Sequence, residues 1–121
     1  MTKGKAAGGT RLNKYILVMT TVPNKKTGQL IAKTCVKEKL AACVTISGSS
    51  ESLYRWKGQL TQDREHILFI KTRDSLFTEL KEKILKLHPY QVPEIIALPL
   101  ADGLAEYLNW IDEETKQHTI E

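Results

Sequence analysis

Tyr15-Ile-Leu-Val-Met-Thr-Thr-Val22 is β-rich and apolar at successive positions, the pattern of a strand that buries both faces. Pro23-Asn24 ends it, and Asn24 is suited to cap a helix. From Gly28 onward Ile31, Ala32, Cys35 and Val36 recur at helical spacing, with Leu40 closing the pattern and Lys25, Lys26, Lys33, Lys37 and Lys39 on the wet side. The spacing predicts a helix from Lys25 to about Lys39. Ala41-Ala-Cys-Val-Thr-Ile46 reads as a second buried strand, and Ser47-Gly-Ser-Ser50 as a bulge or kink. Strand character resumes at Ser52-Leu-Tyr-Arg-Trp56, turns at Lys57-Gly58 and returns over Gln59 to Thr72. With the turn centred there, Trp56 opposes Gln59, and counting back without a bulge sets Cys43 opposite Thr72. The middle of the chain is thus one long hairpin whose tip projects.

Asp74 or Ser75 is expected to cap a second helix with the apolar stripe Leu76, Leu80, Ile84 and Leu87, widened by Phe77 and stopped by His88-Pro89. Glu94-Ile-Ile-Ala-Leu-Pro-Leu100 is a last strand. A C-terminal helix follows Gly103, from Leu104 to about Glu113, with Tyr107, Trp110 and Ile111 on one side. The order β-α-β-β-α-β plus a helix is the α+β, ferredoxin-like split βαβ. Two helices cover one sheet face and leave the other bare. That bare face is not polar, because the third long strand alternates His66, Leu68 and Ile70 against Ile67 and Phe69. An exposed apolar sheet face and a projecting hairpin imply self-association.

Composition narrows the class. The chain has 121 residues, 41% hydrophobic and 26% charged, which fits one globular domain over 15–121. No stretch reaches the roughly 20 apolar residues of a membrane span, and residues 1–14 lack the apolar run of a secretory signal. Two cysteines cannot form a secreted disulfide framework, so a cytoplasmic protein is expected. The net charge of +4 misleads. Lys3, Lys5, Arg11 and Lys14 supply the whole excess, leaving 14 bases against 14 acids. The first fourteen residues read as a basic tail, disordered, clone-derived or a targeting remnant, and no basic stripe on the folded part calls for nucleic acid.

Several segments resemble one family in order and spacing: Lys39-Leu-Ala-Ala-Cys-Val44, Ser52-Leu-Tyr-Arg-Trp-Lys-Gly58, Glu65 with Lys71-Thr72, His88-Pro-Tyr-Gln-Val-Pro-Glu-Ile-Ile-Ala-Leu-Pro99 and Tyr107-Leu-Asn-Trp-Ile111. They are similar to the CutA family of divalent-cation tolerance proteins from about Tyr15 to about Asp112. The resemblance implies a stable homotrimer of ferredoxin-like protomers with sheets around a three-fold axis, resembling PII-type signalling proteins in architecture. It also implies cytoplasmic residence and a link to copper or another divalent cation. In animals, similar proteins are associated with acetylcholinesterase biogenesis.

Candidate metal ligands are Cys35, Cys43, His66, His88, His118, Glu65 and Glu94, and none has structural-zinc spacing. Softness favours His88 and Cys43 for copper. Against that, the commoner reading of His88 at a helix end is a cap, that of Cys43 in a central strand is a small buried hydrophobe, and Cys35 is core. Some bacterial members offer a cysteine and a second histidine where this chain has Thr20 and Leu87, which weakens a copper site of that design. The alternative is a small-molecule or anion pocket, or a protein-binding cleft, between subunits. It would draw on Tyr54, Trp56, Glu65, Lys71, Tyr90, Glu94, Tyr107 and Trp110, with Trp56 as the intersubunit anchor. No phosphate loop, dinucleotide fingerprint or local nucleophile motif is present, so no organic cofactor and no catalysis are expected.

Overall fold

The computed structural model describes residues 14–117. The basic tail up to residue 13 and the candidate ligand His118 lie outside the described residues. The elements are β1 (Tyr15–Val22), α1 (Lys25–Lys37), β2 (Cys43–Ile46), β3 (Ser50–Trp56), β4 (Gln59–Arg73), α2 (Phe77–Leu87), β5 (Ile95–Pro99) and α3 (Ala105–Glu114). All strand pairs are antiparallel, in the order β2-β4-β1-β5, and β3 continues along β4 beyond β2. This is the ferredoxin-like α+β arrangement.

Alternation divides the sheet. Ile16, Val18, Thr20 and Val22 of β1 and Leu68, Ile70 and Thr72 of β4 are fully buried or nearly so. They meet Ile31 and Cys35 of α1 and Leu80 and Ile84 of α2 in one core. The opposite face carries Leu17, Met19, Ile67 and Phe69, each half-buried, and Ile96 and Leu98, 48% and 43% exposed. The bare apolar face expected from the alternation is present.

Local chemistry explains most boundaries. The Asn24 side chain accepts the Thr27 N–H at 2.8 Å and caps α1. The helix stops at Lys37, two residues before the expected end, because Lys39 turns into the left-handed region (φ 61°) and reverses the chain. At α2 neither Asp74 nor Ser75 holds the cap position. They form a 3-10 turn with Leu76, and the N-cap falls on Leu76. The hairpin tip, Lys57-Gly58, has positive φ at both residues (51° and 77°), the tight turn that matches strand twist.

The register corrects one expectation. Trp56 opposes Gln59, but Cys43 opposes Lys71 and not Thr72. Between Ile46↔Leu68 and Ser50↔Glu65, three residues (47–49) face two (66–67), a bulge of one residue. Ser47 repairs the ladder there, its hydroxyl accepting the Ile67 N–H at 2.8 Å while its carbonyl accepts from His66 Nδ1 at 2.9 Å. A one-residue shift exchanges faces. It turns Val44 and Ile46 into the core and leaves Cys43 half-buried on the open face.

α3 is clamped below that face. Ile111 is fully buried, and Asp112 Oδ2 accepts the Tyr15 hydroxyl at 2.6 Å. Asp112 Oδ1 is held by charge alone, from Lys14 at 3.1 Å and Arg73 at 3.8 Å. Arg73 also donates to the Thr115 hydroxyl at 2.9 Å and to the Lys116 carbonyl. Burial by itself would raise the Asp112 carboxyl, but the Tyr15 hydrogen bond and the Lys14 and Arg73 cations outweigh it and hold the group below its ordinary value. A carboxyl depressed in the fold stabilises above its unfolded value and loses that contribution as pH falls through the folded one. Asp112→Asn is therefore expected to be less stable than the parent at pH 6, with the gap closing as pH drops below about 3.8, measured by urea unfolding across pH.

Candidate functional site

β4 sets out the polar groups of the open face, because residues two apart on a strand share a side. Asp63, Glu65 and Lys71 lie on it with Ile67 and Phe69, and Tyr54 joins them from β3 through its pairing with Thr61. The Tyr54 hydroxyl donates to Asp63 Oδ2, and the Tyr90 hydroxyl donates to Glu65 Oε2 at 2.7 Å. The bond to Asp63, then burial, raises the Tyr54 phenol above its ordinary value. Burial, then the bond to Glu65, does the same at Tyr90. Both phenols stay protonated as donors and are poor nucleophiles.

His88 builds the loop that delivers Tyr90. It follows the last residue of α2 and is 8% exposed. Its Nε2–H donates to the Thr21 carbonyl at 2.7 Å, and Nδ1 accepts the Tyr90 N–H at 3.1 Å. The ring also lies against the Tyr90 ring, with centroids 4.8 Å apart. Both nitrogens are thereby committed in the neutral form. His88 ends the helix and orients the loop.

The remaining sequence candidates fall in separate places. Lys71 Nζ donates to the Thr45 hydroxyl at 2.9 Å and lies 3.7 Å from Cys43 Sγ. Trp56 stands at the hairpin tip, 51% exposed. Tyr107 and Trp110 stack on α3 with centroids 5.5 Å apart and remain partly exposed. Glu94 is exposed just before β5. Of the eight pocket candidates, Tyr90 bonds to Glu65 and Tyr107 lies against Trp110, and these two pairs stand apart from each other. A shallow apolar groove of about 500 Å³, lined by Ala32, Lys33, Val36, Lys37 and Val44, lies along α1 and the free edge of β2, on the helix side of the sheet.

The comparisons agree with this architecture. The sequence profile of the family described as "CutA1 divalent ion tolerance protein" matches residues 16–114. The divalent-cation tolerance protein CutA of Thermus thermophilus is 48% identical over 99 residues, covering 82% of this chain and 96% of that one. The chloroplastic CutA of Arabidopsis thaliana is 46% identical over 84% of this chain, which spans 56% of that longer relative. The crystal structure of CutA1 from Oryza sativa superposes with a TM-score of 0.85 at 44% identity, over 88% of this chain and 97% of that one. The chain belongs to the CutA1 divalent ion tolerance family.

The family name directs attention to a cation, and a single protomer does not fit a soft one. Among the described residues no group of three His, Cys, Asp or Glu side chains is placed to hold a metal ion. His88 has no free lone pair. Its Thr21 contact lies at the level of Ile67, four residues along β4 from Lys71, the partner of Cys43, or about 13 Å. Cys35 is buried in the core, and desolvation, then Glu38, raises its thiol to about 11. His66 serves the bulge. Thr20 is fully buried on the core side, and Leu87 packs against the core, so neither replaces the missing ligands. Relatives carry names that place them in the chloroplast and, for Archaeoglobus fulgidus, the periplasm, so the family name fixes no compartment. No described helix is long and apolar enough to cross a membrane.

Asp63, Thr45 and the Thr21 carbonyl were not singled out by sequence reasoning. The two-residue spacing of Asp63 and Glu65 was the available signal for Asp63; the other two depend on the bulged register and on the path of the loop. His88→Ala is expected to cost about 1–3 kcal/mol of stability and to leave copper uptake per chain unchanged. Urea unfolding alongside copper calorimetry on the same samples checks both halves.

Proposed function

We propose that this chain acts as a non-catalytic homotrimeric binding module in divalent-cation tolerance, working in the cytoplasm, with copper or another divalent cation bound between copies and not within one protomer. The observation that carries it is the open sheet face. Ile96 and Leu98 are 48% and 43% exposed there beside Leu17, Met19 and Phe69, and Trp56 is exposed beyond it at the hairpin tip. A contiguous apolar surface of this kind marks an association site. The tyrosine–carboxylate pairs stand on that same face, so covering it creates a cleft lined by phenols, carboxylates and an ammonium. Two free thiols, Cys35 and Cys43, suit a reducing compartment. A binding role fits the groups present, since both site tyrosines are held protonated as donors and His88 is bonded at both nitrogens.

A second reading has a specific observation behind it. Among the described residues Lys71 has no carboxylate partner and bonds to Thr45 and Cys43. An ammonium without a counter-charge suits a small anionic ligand or an acidic protein segment, without a specific metal role.

Native mass spectrometry with and without one equivalent of Cu²⁺ per chain separates these readings. A species of about 41 kDa, three chains in a closed ring, with an integral number of copper ions supports the metal module. The same trimer without discrete uptake favours the second reading, and a monomer in both spectra overturns both. Trp56→Ala is expected to weaken the trimer by about thirtyfold or more, as loss of an aromatic anchor does. Sedimentation at nanomolar concentration measures it, and a fully trimeric variant refutes the anchor role.

A further inference from the structure

One strip of the open face is charged at its two ends and apolar between them. Along β4 it runs Glu65, Ile67, Phe69, Lys71, with Met19 of β1 beside Phe69 and Leu17 beside Lys71. Its two charges cannot meet in one chain. Six residues of strand separate them by about 20 Å. Each also lacks an opposite charge among the described residues. Glu65 is 7% exposed and accepts one hydrogen bond, from Tyr90, through Oε2. Its other oxygen has no hydrogen-bond partner among the described residues, yet is not among the enclosed unpaired atoms, so it reaches the surface. Lys71 Nζ holds a hydroxyl and a thiol, both uncharged acceptors.

A partner laid over this apolar strip removes water from both ends. A carboxylate and an ammonium stripped of water are tolerated only when paired. An occupant carrying a base for the Glu65 end and an acid for the Lys71 end is already at hand, because a second copy has both. The other cation on this side of β4 is unavailable, since Arg73 is taken up by Thr115, Lys116 and Asp112.

We propose that Lys71 of one copy closes on the Glu65–Tyr90 pair of another, making a composite site that neither copy holds alone. The inference rests on the self-association reading above and names its polar contact. At the junction a carboxylate and a phenol from one copy face an ammonium, the Thr45 hydroxyl and the Cys43 thiol from the next. The strip is also directional, so the charged ends set how copies are oriented while the apolar middle supplies adhesion.

Charge reversal tests this. Glu65→Lys and Lys71→Glu are each expected to raise the dissociation constant of the assembly by at least about thirtyfold, the loss that follows removal of one member of a buried charge pair. The double variant Glu65→Lys/Lys71→Glu is expected to recover most of it, and Asp63→Lys, two residues away on the same face, is not expected to match the loss. Sedimentation across a dilution series reads the constants, with far-UV circular dichroism confirming folded chains. Should the reversals unfold the protomer, a cycle of Glu65→Gln and Lys71→Gln measures the same coupling. An oligomeric parent whose single reversals assemble as tightly as it does, or whose double variant is as weak as the singles, overturns the pairing and leaves self-association standing. Rescue of Asp63→Lys by Lys71→Glu, without rescue of Glu65→Lys, assigns the contact to Asp63 and overturns it for Glu65. A parent chain that is monomeric at micromolar concentration overturns the self-association reading and this inference together.

Discussion

β4 is the strand on which every other part of the sheet except β5 depends directly. It runs for 15 residues and pairs with β1, β2 and β3 in turn. A strand that long must satisfy two environments through one two-residue period. Its even positions His66, Leu68, Ile70 and Thr72 face the helices, and the last three are fully buried. Its odd positions carry Asp63, Glu65, Ile67, Phe69, Lys71 and Arg73 on the side the helices leave uncovered. Core, cleft chemistry and the C-terminal clamp are three stretches of the same alternation.

The bulge at Ser47–Ser49 adjusts how that alternation is read by its neighbour. Without it, β2 would turn Cys43 and Thr45 toward the core and Val44 and Ile46 outward. The extra residue reverses this, burying the two branched apolar side chains and placing the thiol and hydroxyl beside Lys71. The Ser47 hydroxyl makes the insertion tolerable because it accepts a backbone N–H that the interrupted ladder would strand.

Charge is sorted between the layers. α1 carries Lys25, Lys26, Lys33 and Lys37 and no acid, so net neutrality after residue 14 conceals a basic outer helix. Asp63 and Glu65 stand on the open face and Glu106, Asp112, Glu113 and Glu114 on α3, while α2 mixes Glu79 and Glu82 with Lys81, Lys83 and Lys86. That distribution keeps the helical layer wet. On the other side most of the polar groups are already bonded within the protomer, while Glu65 and Lys71 have no counter-charge among the described residues.

The sequence by itself determined the element order, the ferredoxin-like topology, the Asn24 cap, the Lys57-Gly58 turn and the apolar character of the uncovered face. Each follows from local periodicity or from one residue's conformational preference, and such signals are written within a few positions of where they act. The family was legible too, since its motifs lie along the chain in order. Tertiary structure alone decided the rest. The bulge's exact length set which face Cys43 occupies, and no composition of Ser and Gly counts residues on the opposite strand. His88 anchors the loop because Thr21 and Tyr90, 67 and 2 residues away, engage its two nitrogens. Glu65 and Tyr90, quoted from different motifs, came together because the loop after α2 crosses back over β4. Contacts of that kind depend on where distant backbone comes to rest, and local pattern carries no record of it.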